Sequence, residues 1–117
     1  MGDSYKDLIV WQRAIELCLH IYRLTSNFPA SERFGLTVQM RRAAVSIASN
    51  IAEGYGRETT GEYRQFPGHA RGSNCELQTQ LILCKALEFG SEKELRCAEE
   101  ISAEVSRMLV AIMAKLR

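Results

Sequence analysis

The chain has 117 residues, with 15 lysines and arginines against 14 acidic side chains, so a net charge of +1 selects neither nucleic acid nor an acidic partner. Apolar residues make up 46% and charged residues 25%, with only 2 prolines and 8 glycines, which excludes collagen-like and low-complexity classes. No apolar run approaches the roughly 20 residues of a membrane span, and no basic opening with an apolar stretch marks a secretory leader.

Helical periodicity dominates from the start. The first predicted helix, over 7–27, carries two apolar seams. One is Leu8, Trp11, Ile15, Cys18 and Tyr22; the other is Val10, Ala14, Leu17, Ile21 and Leu24. At 100° per residue they lie about 80–120° apart. Only Gln12, Arg13, Glu16, His20 and Arg23 form a polar face. An arc this wide touches more than one neighbouring helix, or a second subunit. The second-subunit reading makes Val10, Leu17, Ile21 and Leu24 candidate oligomer-interface residues.

Phe28-Pro29 ends that helix, because proline disfavours a helical residue before it. A link with room for a short helical turn leads to a second helix over 37–53, with Thr37 as its expected N-cap. Small residues crowd this helix, and Gly54 and Gly56 mark its end. Thr59-Thr60-Gly61-Glu62 reads as a capping box opening a third helix over 60–89. Its seam runs through Tyr63, Phe66, Ala70, Ser73, Leu77, Leu81 and Cys84, then Leu87 or Glu88, keeping phase across Pro67. Pro67-Gly68 predicts a kink or break there, at about 3 kcal/mol or more. Gly90 is expected to stop the helix. Ser91-Glu92-Lys93-Glu94 is a second capping box, opening a last helix over 92–116 with Ala98, Ile101, Val105, Met108, Ile112 and Leu116 on one stripe. Four helices with short connections and no strand signal predict a single-domain, all-α, antiparallel up-down four-helix bundle.

Few residues suggest catalysis. Neither His20 nor His69 has a glutamate three residues before it, as a di-metal bundle site needs, and no Cys/His cluster suits zinc. No metal or cofactor is therefore expected. Cys18, Cys75, Cys84 and Cys97 lie in helical segments without a CxxC pair and read as reduced, structural thiols in a cytoplasmic protein. Gly54-Tyr55-Gly56-Arg57 lacks the strand before it that a nucleotide loop requires and reads as a helix end.

Two polar patterns remain. Gln39, Arg42, Ser46, Ser49, Asn50 and Glu53 share one stripe of the second helix. It is either a solvated face or an inward network of Arg42, Asn50, Glu53 and Glu76 in which a carboxylate of Glu53 or Glu76 pairs with Arg42. A buried, paired Arg42 would cost about 3–5 kcal/mol to remove. Arg41 should point elsewhere, since adjacent helical residues diverge by about 100°. The second pattern is a basic row: Arg57, Arg64, Arg71, Gln78 and Lys85 recur every seven residues. It is either a solvent face paired with glutamates of the last helix (Glu92, Glu99 or Glu104) or a track for a phosphate backbone, with Arg41 as an added contact.

Several blocks together resemble a known family. They are Asp7-Leu8-Ile9-Val10-Trp11-Gln12-Arg13-Ala14, then Phe34-Gly35-Leu36-Thr37-Val38-Gln39-Met40-Arg41-Arg42-Ala43-Ala44, then Val45-Ser46-Ile47-Ala48-Ser49-Asn50-Ile51-Ala52-Glu53-Gly54 with Arg57, and Ala70-Arg71-Gly72-Ser73 with Glu76-Leu77. In this order they resemble the bacterial four-helix-bundle proteins encoded within intervening sequences of 23S ribosomal RNA genes. They are also similar to the accessory protein of diversity-generating retroelements. The resemblance implies a homo-oligomeric ring, a homopentamer, with RNA or a nucleic-acid-processing protein as partner, no enzymatic activity and no membrane association. Two positions depart from the family pattern: Pro67 stands where an aliphatic residue is usual, and Asn74 where a more apolar one is. The combined expectation is a non-enzymatic binding or scaffold module for structured RNA or a ribonucleoprotein. A structural ring or protein–protein interaction module without a nucleic-acid role is the alternative.

Overall fold

A computed structural model describes residues 4–56 and 66–116. A short 3-10 turn, Tyr5–Asp7, precedes α1, Ile9–Thr25. A second 3-10 turn, Ala30–Glu32, leads into α2, Leu36–Tyr55. The described part of α3 is Phe66–Leu87, and α4 is Glu92–Lys115. Among the described residues there is no strand. Helix α1 packs against α2 and α4, and α3 packs against the same two, which makes an all-α four-helix bundle. Cross-helix bonds fix the antiparallel order. Arg41 of α2 reaches Thr25 near the end of α1, Ser46 of α2 meets Ser73 of α3, and His20 of α1 meets Glu94 at the start of α4.

The core follows the inner seams. Val10, Ala14, Leu17, Ile21 and Leu24 from α1 pack with Met40, Ala44, Ile47 and Ile51 from α2, Leu77, Leu81 and Cys84 from α3, and Val105 and Leu109 from α4. This corrects the expected oligomer interface: Val10, Leu17, Ile21 and Leu24 all lie inside one subunit's core, at most 4% exposed. Periodicity reveals both α1 seams but not which one faces inward. The wide arc is explained by the two neighbours of α1 and by the N-terminal turn. The ring of Tyr5 meets Trp11 edge-on at 5.3 Å, and Trp11, Ile15 and Cys18 are half-buried at the core's margin.

Helix ends differ from expectation in instructive ways. α2 begins one residue earlier than predicted and Thr37 does not cap it. Gly35 occupies the N-cap position, and the Glu32 carboxylate accepts from the Leu36 backbone N–H at 3.1 Å. Negative charge at that end also suits the helix dipole. At α4 the Ser91 hydroxyl accepts from Glu94 N–H at 3.1 Å, as the capping box predicts. The reciprocal half is absent, because the Glu94 carboxylate turns to His20 Nδ1 at 3.3 Å. α3 stops at Leu87, before Gly90. Phe89 N–H donates to Cys84 C=O at 2.9 Å and Glu88 N–H to Lys85 C=O at 3.3 Å, the paired bonds of a Schellman end. Glu88, not a glycine, holds the left-handed position at φ 60°. Phe89 then packs on Phe28 with ring centroids 5.6 Å apart. Gly90 (φ 81°) lies so close to α1 that a Cβ there would stand 2.4 Å from Leu24 Cδ1.

Pro67 is fully buried, and α3 runs without a break from Phe66 to Leu87. The expected kink and the Thr59 capping box involve residues outside the described ones.

Candidate interaction surfaces

The polar stripe of α2 divides along its length. Ser46 and Asn50 lie against α3: Ser46 Oγ and Ser73 Oγ are 2.9 Å apart, and Asn50 Nδ2 donates to Ser46 C=O and Oγ at 2.8 and 2.9 Å. Arg42 and Glu53 lie on the exposed side, and so does Glu76 of α3. The inward Arg42–carboxylate pair is thus corrected. Arg42 points to solvent with no ion-pair partner among the described residues, so its removal costs within about 0.5 kcal/mol, not several. The network that does form is smaller and built from hydroxyl and amide groups, which satisfy one another without burying charge.

Sequence patterning missed the most buried polar contacts. Asn74 of α3 and Ser102 of α4 are almost fully buried and bond reciprocally. Asn74 Nδ2 donates to Ser102 C=O at 2.9 Å, and Ser102 Oγ donates to Asn74 Oδ1 at 2.7 Å. The predicted α3 seam passes through Ser73, which is half-buried, whereas its neighbour Asn74 is the buried residue; the one signal was its departure from the family pattern, and its partner cannot be found from one helix alone. Gln80 is also buried. Its Nε2 reaches Glu76 Oε2 at 3.5 Å, while its Oε1 has no partner.

The basic residues fall into three groups. Arg41 is engaged within the fold: its Nε donates to Thr25 Oγ1 at 2.8 Å, one terminal nitrogen lies 3.4 Å from Tyr22 C=O, and the guanidinium stacks 4.6 Å over the Tyr22 ring. It ties the start of α2 to the last turn of α1, where a cation complements the dipole. Arg71 and Lys85 stand exposed on α3, 14 residues and thus about 21 Å apart along the helix. Neither has an ion-pair partner among the described residues. Of the α4 glutamates expected to balance them, Glu104 instead joins Arg13 of α1, which also meets Glu16, while Glu92 and Glu99 line an open pocket with Lys85 without forming an ion pair. Bonding to Glu104 raises the Arg13 guanidinium above its usual pKa. Arg57 and Arg64 lie outside the described residues.

Four cysteines are unbonded thiols. Burial pushes the Cys84 thiol up to about 11, with a smaller push from Glu32, and burial also raises Cys18. Neither is an activated nucleophile, since the thiolate is the reactive form. Several large apolar side chains remain outside the core: Leu19 and Tyr22 on α1, Val45 on α2, Ile82, Leu83 and Leu87 on α3. Phe34, 85% exposed in the α1–α2 link, lies 5.5 Å from the Arg33 guanidinium.

Comparison with known proteins agrees with this architecture. A family model described as 23S rRNA-intervening sequence protein matches residues 6–111. Among solved structures, the chain is similar to a Bacteroides thetaiotaomicron protein described as of unknown function and of the S23 ribosomal protein family. The two share 20% identity with a TM-score of 0.82, over 91% of this chain and 96% of that one, which shows a common fold. No curated protein matches the chain.

Proposed function

From the premise that the chain belongs to the 23S rRNA-intervening sequence protein family, we propose that it is a non-catalytic, self-associating scaffold of the cytoplasm that holds structured RNA or a ribonucleoprotein along α3. One observation carries the RNA reading: Arg71 and Lys85 stand exposed on one row of α3 with no ion-pair partner among the described residues, Lys85 at the edge of an open pocket that Glu88, Glu92 and Glu99 also line. Cations about 21 Å apart on one helix face can contact phosphates well separated along a folded RNA, and with a net charge of only +1 the affinity is modest and sensitive to salt. A gel shift with a structured RNA at low salt tests this. Micromolar protein shifts the RNA, and Arg71→Glu with Lys85→Glu abolishes the shift. Absence of any shift at micromolar protein defeats the RNA reading.

Self-association, as a ring of five by family resemblance, is supported by the apolar side chains left outside the core, Ile82 at 66% exposure foremost. The same feature favours a second reading, a protein–protein module with no nucleic-acid role. Under it, removing the α3 cations leaves function intact, while Ile82→Asp or Leu83→Asp abolishes it. A stable monomer at high concentration by light scattering overturns the assembly. Leu17 and Ile21 do not serve this test, because polar substitution there unfolds the core.

A further inference from the structure

The outer face of α2 forms a second surface, on a different helix from the α3 row and independent of the RNA reading. Val38, Arg41, Arg42, Val45 and Ser46 of α2, with Tyr22 of α1, line an open groove. The α2 positions follow i, i+3, i+4, i+7 and i+8, the spacing of a single helical ridge, and such ridges seat in the grooves of an approaching helix. Tyr22 and Val45 remain 43% and 42% exposed, and Leu19, 51% exposed, extends the apolar strip along α1. One wall is built in advance: Tyr22 lies under the Arg41 guanidinium, which Thr25 Oγ1 holds at 2.8 Å. The opposite rim carries Arg42, exposed and without an ion-pair partner among the described residues. No carboxylate lines the groove, so its apolar floor lies between two guanidinium groups.

We propose that this groove docks an acidic amphipathic helix of a partner protein. Aliphatic residues at i, i+3 or i+4 and i+7 of that helix cover Val38, Val45 and Tyr22, and a flanking carboxylate pairs with Arg42. Charge complementarity selects the occupant. A basic helix meets two uncompensated arginines, and a purely apolar one leaves Arg42 with no counter-charge at the rim of a newly dried contact.

The test uses the full chain and a fluorescein-labelled synthetic peptide about 16 residues long, with leucines at that spacing and glutamates on the flanks. A control peptide replaces each glutamate by lysine. Anisotropy titration is expected to show micromolar binding of the acidic peptide, at least about tenfold tighter than the basic one. Val45→Asp and Arg42→Glu should each weaken it about tenfold or more, with unchanged helical circular dichroism and melting temperature. The proposal is overturned by no binding at about 100 µM peptide, by equal binding of the two peptides, or by variants that bind as the parent does. It is also overturned if Val45→Asp lowers the oligomer mass, making a second copy the occupant, or if Arg42→Glu removes RNA binding, making nucleic acid the occupant. The α3 variants Arg71→Glu and Lys85→Glu leave peptide binding unchanged, so failure of either reading is distinguishable from failure of the other.

Discussion

Ser102→Ala removes one hydroxyl from the α3–α4 seam and nothing else. Asn74 Oδ1 then loses its donor at 2.7 Å, at a site where Asn74 is 1% exposed and water has no ready access. An acceptor buried without a partner costs about 1–3 kcal/mol. The lost hydroxyl itself leaves almost no cavity, so the unsatisfied oxygen dominates. With a urea dependence of about 1–3 kcal/mol per molar for a domain this size, the unfolding midpoint should fall by about 1 M. Asn74→Leu behaves differently: the Ser102 hydroxyl can return to a carbonyl of its own helix one turn earlier, so less is left unsatisfied. The double variant Asn74→Leu with Ser102→Ala replaces both partners by apolar groups and should recover to within about 1 kcal/mol of the parent. Urea titration followed by circular dichroism at one fixed protein concentration measures all four proteins. A Ser102→Ala midpoint equal to the parent's, or a double variant less stable than Ser102→Ala, would refute the reasoning.

Glu88→Gly should stabilise the fold by about 0.5–1 kcal/mol, because glycine takes the left-handed position without the Cβ conflict, offset in part by its freer unfolded chain; a thermal melt should rise by a few degrees, and a fall would contradict the Schellman assignment. Cys84 gives a pH signature. Its folded pKa lies above the unfolded value, so its contribution is fully present below about pH 9 and disappears as pH rises through about 11. Urea midpoints measured across that window should therefore decline in the parent and decline less in Cys84→Ala.

Helix existence and the inner core were legible because 3.6-residue periodicity is a local property. Pairings between helices were not. Adjacent positions Arg41 and Arg42 must diverge, yet the sequence alone does not say which one finds Thr25 and Tyr22 and which faces solvent. The two seams of α1 present the same difficulty, since each is apolar enough to be the core face. Helix ends resolved only in part. Ser91 announces its helix through a side chain three residues from its target, whereas Glu32 caps α2 from within a separate 3-10 turn. Gly90 drew the predicted stop away from Glu88, because the docking of Phe89 on Phe28 sets where α3 turns, and that contact joins two distant links. Asn74 stood out only as a departure from the family pattern, and its meaning depended on Ser102, 28 positions away.

Arg41 has a practical consequence for dissecting the basic residues one at a time. Because its guanidinium fastens two helices and shapes the wall beside Tyr22, Arg41→Ala loosens the scaffold and the groove together. Any ligand, RNA or peptide, would then lose affinity through the frame that presents the surface. A charge scan of this protein is best normalised to the melting temperature of each variant, with Arg71 and Lys85 as the positions where lost affinity reports lost contact.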